Sequence, residues 1–209
     1  MVFGKYGLKL QQFFWTAKKY YTKLIMINFA RPKIDKIYIG VFAIAVFFSW
    51  TLHELAHWTV GKYFGYEMVM TLNSAFAING NFSRDLHYQI ISAAGPIFTL
   101  SQAALFYVLM KNKNRVLLYP ILFTCFYMRL FATIISFRHP NDEARISTAI
   151  GIGKFTLPLI VTGLLFILIY RTTKDYKFDL KFNLANLGLT VLFSSIIILV
   201  DMYLKIRLL

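Results

Sequence analysis

The chain has 209 residues, 58% of them hydrophobic and only 15% charged, too apolar a balance for a water-soluble domain of this length. Its 23 Lys and Arg against 9 Asp and Glu leave a formal charge of +14. In a multi-pass membrane chain the positive-inside rule accounts for such an excess, so no nucleic-acid partner is expected. A single cysteine, Cys125, excludes an intrachain disulfide and a cysteine metal cluster.

Residues 1–36 carry eight Lys or Arg and one acid, Asp35, among Phe13, Phe14, Trp15, Tyr20 and Tyr21. That composition fits a basic amphipathic helix on an anionic membrane surface or a solvated basic tail. No compact apolar core is followed by a small-residue cleavage site, so a cleavable signal peptide is not expected. Five apolar stretches follow: Ile37 to Val60, Tyr88 to Met110, Val116 to Phe137, Phe155 to Tyr170 and Leu187 to Ile206. At about 1.5 Å per residue, roughly 20 residues cross the hydrocarbon core, and polar residues on its loop side extend the shorter fourth stretch. The expected fold is an all-α polytopic membrane protein of about five transmembrane helices. It divides into the basic segment 1–36, a core over 37–155 holding three spans, and two C-terminal spans over 156–209. Fifteen Lys or Arg fall on the side of the N-terminus and seven on the other, which puts the N-terminus in the cytoplasm.

The first span contains His53-Glu54-Leu55-Ala56-His57. Residues four apart share a helix face, so two imidazoles at this spacing can bind one zinc ion, with the intervening Glu close enough to take a proton from water. From the chain's composition, a chance match is expected about once in a thousand such sequences. Each charged group in an apolar helix costs about 2.5 kcal/mol or more on insertion scales, and is tolerated where it lines a site or binds a metal.

A catalytic zinc takes three protein ligands and leaves a position open. His87, His139, Asp142, Glu143, Glu67 and Asp85 are the remaining candidates. The motif lies near the distal end of span one. Span two starts, and span three ends, on that same side, so His139, Asn141, Asp142 and Glu143 emerge at the depth of the motif. Pro140 discourages helix at His139, which makes Asn141 or Asp142 a candidate N-cap as well. His87 reads as an interfacial residue. Arg129, about 12 Å inside the end of span three, pairs with an acid at the site, pairs with Asp201, or snorkels to the interface.

Three features together resemble the site-2 protease family of intramembrane metalloproteases. They are the motif His53 to His57 within a span, Ala93-Ala94-Gly95-Pro96 at the start of the next, and Asn141-Asp142 some 85 residues after His57. The likeness covers roughly residues 40 to 155, in a minimal and divergent form. It implies one zinc ion per chain on His53, His57 and Asp142, with Glu54 as general base. It also implies a membrane-embedded or membrane-anchored protein or peptide as substrate, met within the bilayer. The chain departs from the family where Glu143 follows Asp142 in place of Gly, and where the local order is His-Pro-Asn-Asp. Glu143 and His139 therefore stay open as the third ligand, and Asn141, His139 and Arg145 as partners for a developing oxyanion. Gly95-Pro96 reads as close packing beside the metal helix.

Between the first two spans, Tyr66 to Leu72 and Ala75 to Ile78 have strand character, and Asn79-Gly80 is a hairpin signal. A small β-hairpin is expected there, resembling the family's membrane-associated β element, with an edge able to take an extended substrate. Gly151, Gly153 and Pro158 are expected to shape the start of span four. A compact chain of this kind fits a bacterial inner membrane. A non-catalytic adaptor or a metal-binding transporter would share the apolar spans. An adaptor has no use for Glu54, and a transporter calls for a polar path across the bilayer where this chain clusters its ionisable groups at one level.

Overall fold

The computed structural model describes residues 33–80, 82–112 and 115–209; residues 1–32 of the basic N-terminal segment lie outside them. Helix α1, Lys36–Tyr63, starts where the Asp35 carboxylate caps it by accepting from the Tyr38 backbone N–H at 2.8 Å. A hairpin follows, β1 (Met68–Met70) antiparallel to β2 (Ala75–Ala77), with Met68 opposite Ala77 and Met70 opposite Ala75. Helix α2 spans Asp85–Met110. A 3₁₀ turn at Val116–Leu118 leads into α3, Tyr119–Ile135. The short α4, Asp142–Ala149, precedes α5, Thr156–Tyr176, and α6, Leu180–Leu204.

Five of these segments are long and apolar enough to cross a membrane: Lys36–Tyr63, Asp85–Met110, Val116–Ile135, Thr156–Tyr176 and Leu180–Leu204. The protein is thus an all-α polytopic membrane protein with a small hairpin between its first two spans. Ile44, Phe48, Ile97, Leu105, Leu159 and Leu192 are among the large apolar side chains exposed on its flanks, where acyl chains replace water as solvent. Residues Ile34–Leu209 form one unit, so the two C-terminal spans pack into the same body as the other three.

Helix α1 sits at the centre, against α2, α3 and α6. Its lower half joins an aromatic and aliphatic core of Tyr38, Phe42, Val46, Tyr119, Phe123 and Phe182. Lipid offers no hydrogen bonds, so polar groups in spans turn inward and pair. Tyr38 donates to Asn186 Oδ1 at 2.6 Å, Trp50 Nε1 to Ser194 Oγ at 3.1 Å, and Tyr119 to Asn183 Oδ1 at 2.6 Å. Asn186, Thr190 and Ser194 repeat every four residues and form a buried polar stripe that locks α6 to the bundle.

The hairpin turns through residues 71–74, not at Asn79-Gly80. That pair makes a separate turn after β2, with Gly80 at φ +70° and its N–H donating to Ala77 O at 2.9 Å. The turn at 71–74 is held from far away: Asp201 on α6 accepts from the Leu72 N–H at 3.0 Å and from Thr71 Oγ1 at 3.1 Å. Arg129 does not meet Asp201, since that carboxylate is engaged with the hairpin; it turns to the acid at the site instead. The fourth helix continues through Arg171 to Tyr176, the expected extension by polar loop-side residues, whereas the fifth starts earlier than its apolar stretch because Asp179 caps α6 by accepting from the Phe182 N–H at 2.8 Å. Gly151 and Gly153 take φ of +77° and +93° in the turn before α5, and Pro158 occupies its first turn, where a missing N–H costs nothing.

Candidate metal centre

His53 and His57 project from one face of α1, one turn apart, and both are buried. Their Nε2 atoms lie 3.2 Å apart. Asp142 Oδ2 is 3.4 Å from each. These three side chains form a cluster that could hold a metal ion.

Hydrogen bonding fixes which nitrogen of each ring is available. His57 Nδ1 lies 2.6 Å from the Ile91 carbonyl, which can only accept, so Nδ1 carries the proton. His53 Nδ1 lies 2.9 Å from Thr99 Oγ1, whose own hydrogen goes to Gly95 O at 3.0 Å. Thr99 therefore accepts, and His53 Nδ1 is protonated too. Both Nε2 lone pairs then point at each other and at the Asp142 carboxylate. Three acceptors so close call for positive charge: Arg129 Nη2, 3.3 Å from His53 Nε2, supplies it from the side, and a proton or a bound cation supplies it between them. The same demand acts on Asp142. Burial pushes its carboxyl up, but the hydrogen bonds and charge of the His53 and His57 imidazoles, when such a proton sits on the Nε2 atoms facing it, outweigh burial and hold it well below the usual carboxylate range.

Asp142 is delivered by α4. Asn141 is the N-cap, its Oδ1 accepting from the Asp142 N–H at 3.0 Å, which leaves Asp142 at the first helical position with its side chain free for the site. Arg145, one turn on, donates to Asp142 Oδ1 at 2.6 Å and lies over the Tyr88 ring. One carboxylate oxygen is thus engaged and the other faces the imidazoles. Glu143 is buried but points away from them, accepting from Arg129 Nη1 at 3.0 Å. His139 is exposed in the loop before α4. His87 stacks on Phe64 and bonds the Tyr66 hydroxyl at 2.9 Å, apart from the cluster. Of the candidates drawn from the sequence, Asp142 alone joins the two histidines.

Gly95 has a sharper role than general packing. A Cβ there would fall within 2.6 Å of His53 Nε2 and closer still to His57 Nε2, so only Gly lets α2 approach both rings. Pro96 removes the N–H that would bond the Ser92 carbonyl, next to the Ile91 carbonyl that orients His57. Gly95→Ala is expected to displace the rings and weaken divalent-metal binding about 10- to 100-fold, as loss of a ligand-orienting group does, in a protein that still folds. Competition with a chromogenic chelator measures this; unchanged affinity would contradict the placement of Gly95.

The cluster opens on a cavity of about 940 Å³, bordered by α1, α2, α3, α4 and residues 73–77 of the hairpin. Glu54 lines it and makes no hydrogen bond among the described residues. The β2 strand borders the cavity, whereas the outer edge of β1 is taken: Met70 N–H donates to Leu209 O at 3.0 Å and Met70 O accepts from Leu208 N–H at 2.8 Å. Thr99 and Ile91 were not foreseen from sequence. Thr99 stands four residues after Gly95 and so shares its helix face, but a backbone carbonyl such as that of Ile91 carries no sequence signal. The Asp142–Arg145 pair has the i,i+3 spacing that could have revealed it.

Compared with models of protein families, with curated proteins and with solved structures, the chain finds no match.

Proposed function

We propose that the protein is a zinc-dependent intramembrane endopeptidase, similar in its residues to the site-2 proteases. It would hydrolyse peptide bonds of membrane-embedded or membrane-anchored proteins. The observation that carries this reading is the convergence of His53 Nε2, His57 Nε2 and Asp142 Oδ2 beside the unpaired carboxylate of Glu54 in one cavity.

The donor set fits zinc. Two ligand atoms, each about 2.0–2.1 Å from a tetrahedral ion, lie about 3.3–3.4 Å apart, and the separations here are 3.2, 3.4 and 3.4 Å. Two neutral imidazoles and a carboxylate are a donor set of catalytic rather than structural zinc, leaving one position open. When bound, the ion supplies Lewis-acid polarisation of the attacking water and the peptide carbonyl. Glu54 takes the proton that the water loses as its oxygen bonds to the carbonyl carbon. The C=O π pair moves to oxygen. Glu54 then returns the proton to the amide nitrogen as the C–N bond breaks. The β2 edge that borders the cavity can hold the substrate segment extended at Ala75, the Ala77 carbonyl being taken by Gly80 N–H, since a peptide bond inside a helix is shielded from attack.

The positive-inside tally favours a cytoplasmic N-terminus, with the site toward the opposite face, and a bacterial inner membrane is the setting we favour. Glu54→Gln tests the reading. The variant should keep one zinc per chain and lose hydrolysis about 10²- to 10⁴-fold, the usual contribution of a general base, and so trap an uncleaved substrate. Hydrolysis that survives in this variant would overturn the role of Glu54 as the base, and a wild-type protein that holds zinc but cleaves no membrane-anchored peptide would overturn the peptidase assignment while leaving the metal centre intact.

A further inference from the structure

The proposed reaction leaves the developing oxyanion without an assigned protein partner. His139 is exposed outside the cavity; Asn141 lines it but offers only a neutral amide N–H₂, its oxygen being on the α4 cap; Arg145 lines it too, but its Nη2 is bound to the Asp142 oxygen that faces away from the imidazoles and its guanidinium lies over the Tyr88 ring. Arg129 is different. It is 4% exposed on a transmembrane helix, and it lines the cavity. Its Nη1 donates to Glu143 at 3.0 Å and lies 3.7 Å from Asp142 Oδ2. Its Nη2 lies 3.3 Å from His53 Nε2, and its Nε has no acceptor.

His53 Nδ1 already carries the ring's proton, so the Nε2 lone pair serves either Arg129 or a metal, not both. With an ion held, Nη2 loses that acceptor. Nη2 and Nε then present N–H groups with no protein acceptor among the described residues, inside a buried cavity, next to two of the three ligand atoms. A counter-charge for Glu143 requires only the Nη1 contact. The remaining donors call for an oxygen atom that arrives with the substrate.

We infer that Arg129 is a catalytic residue that donates to the carbonyl oxygen as it becomes negative, and that Glu143 is the positioning residue that fixes its guanidinium. The inference rests on the peptidase reading, since it assigns the oxyanion partner for that reaction. A preorganised charged donor in a water-poor site acts mainly on the transition state, so loss of Arg129 lowers kcat with little change in KM.

The test uses the full chain in detergent with cobalt(II) in the metal site and reads the cobalt absorption bands during titration. Inorganic phosphate is the anionic probe and imidazole the neutral one. Arg129→Gln should bind cobalt at wild-type stoichiometry and imidazole with unchanged affinity, but phosphate about 10- to 100-fold more weakly, the range for one charged donor in such a site. Phosphate binding equal to wild type would overturn the inference. Loss of cobalt from Arg129→Gln would also overturn it, since Arg129 would then serve only to balance charge. If Arg129→Gln does not fold, Arg129→Lys carries the same comparison: it keeps the charge and loses the planar fork, and phosphate binding unchanged from wild type overturns the inference there too. A wild-type protein that takes up no cobalt would defeat the peptidase reading and this inference together.

Discussion

His53→Ala and His57→Ala should each purify as a folded membrane protein without zinc and without peptide hydrolysis. Each removes one of three ligands, and two remaining donors hold zinc poorly. The loss of affinity should exceed the roughly 10- to 100-fold typical of changes to groups that only orient a ligand. Folding is expected to survive because the aromatic core around Tyr38, Phe42, Tyr119 and Phe182 and the polar stripe on α6 lie away from the metal cluster. Metal analysis beside circular dichroism checks both halves. Full zinc occupancy in either variant would remove that histidine from the site.

The second large effect is expected at Asp142. Asp142→Asn should lose zinc almost as severely as a histidine variant, because a neutral amide is a far weaker ligand than a carboxylate. The helix effect of the same change is small. Asn141 is the cap, and Asp142 stands one position later, where removing a negative charge costs about 0.3–1 kcal/mol through the helix dipole. Stability and metal binding should therefore part company in this variant. Glu143→Gln is the control: its carboxylate contacts Arg129 rather than the imidazoles, so it should retain zinc. If instead Asp142→Asn keeps zinc and Glu143→Gln loses it, Glu143 is the third ligand and the likeness to site-2 proteases loosens.

The spans and the two histidines could be read from the sequence because both depend on local pattern. Runs of apolar residues set helix length, and the i,i+4 spacing sets the face that His53 and His57 share. Asp142 was within reach because membrane topology forces the end of one span and the start of another to the same depth. The hairpin turn was misread at Asn79-Gly80. Its true position at 71–74 depends on Asp201, which lies 129 residues from Leu72 in sequence, and no local propensity encodes such a contact. The pairing of Arg129 with Glu143 was open for the same reason. Gly95 shows a third kind of limit. Its small size pointed to close packing, but only the fold shows that what approaches it is a pair of imidazole rings.

The most direct test of the central claim is zinc K-edge absorption spectroscopy of the purified wild-type protein. Two histidine nitrogens and a carboxylate on one ion predict scattering from imidazole rings together with nitrogen and oxygen neighbours at about 2.0–2.1 Å, and no sulfur shell near 2.3 Å. One zinc per chain with two imidazoles is the expected result. A folded protein that binds no zinc, or zinc whose spectrum carries no imidazole signature, would contradict the account.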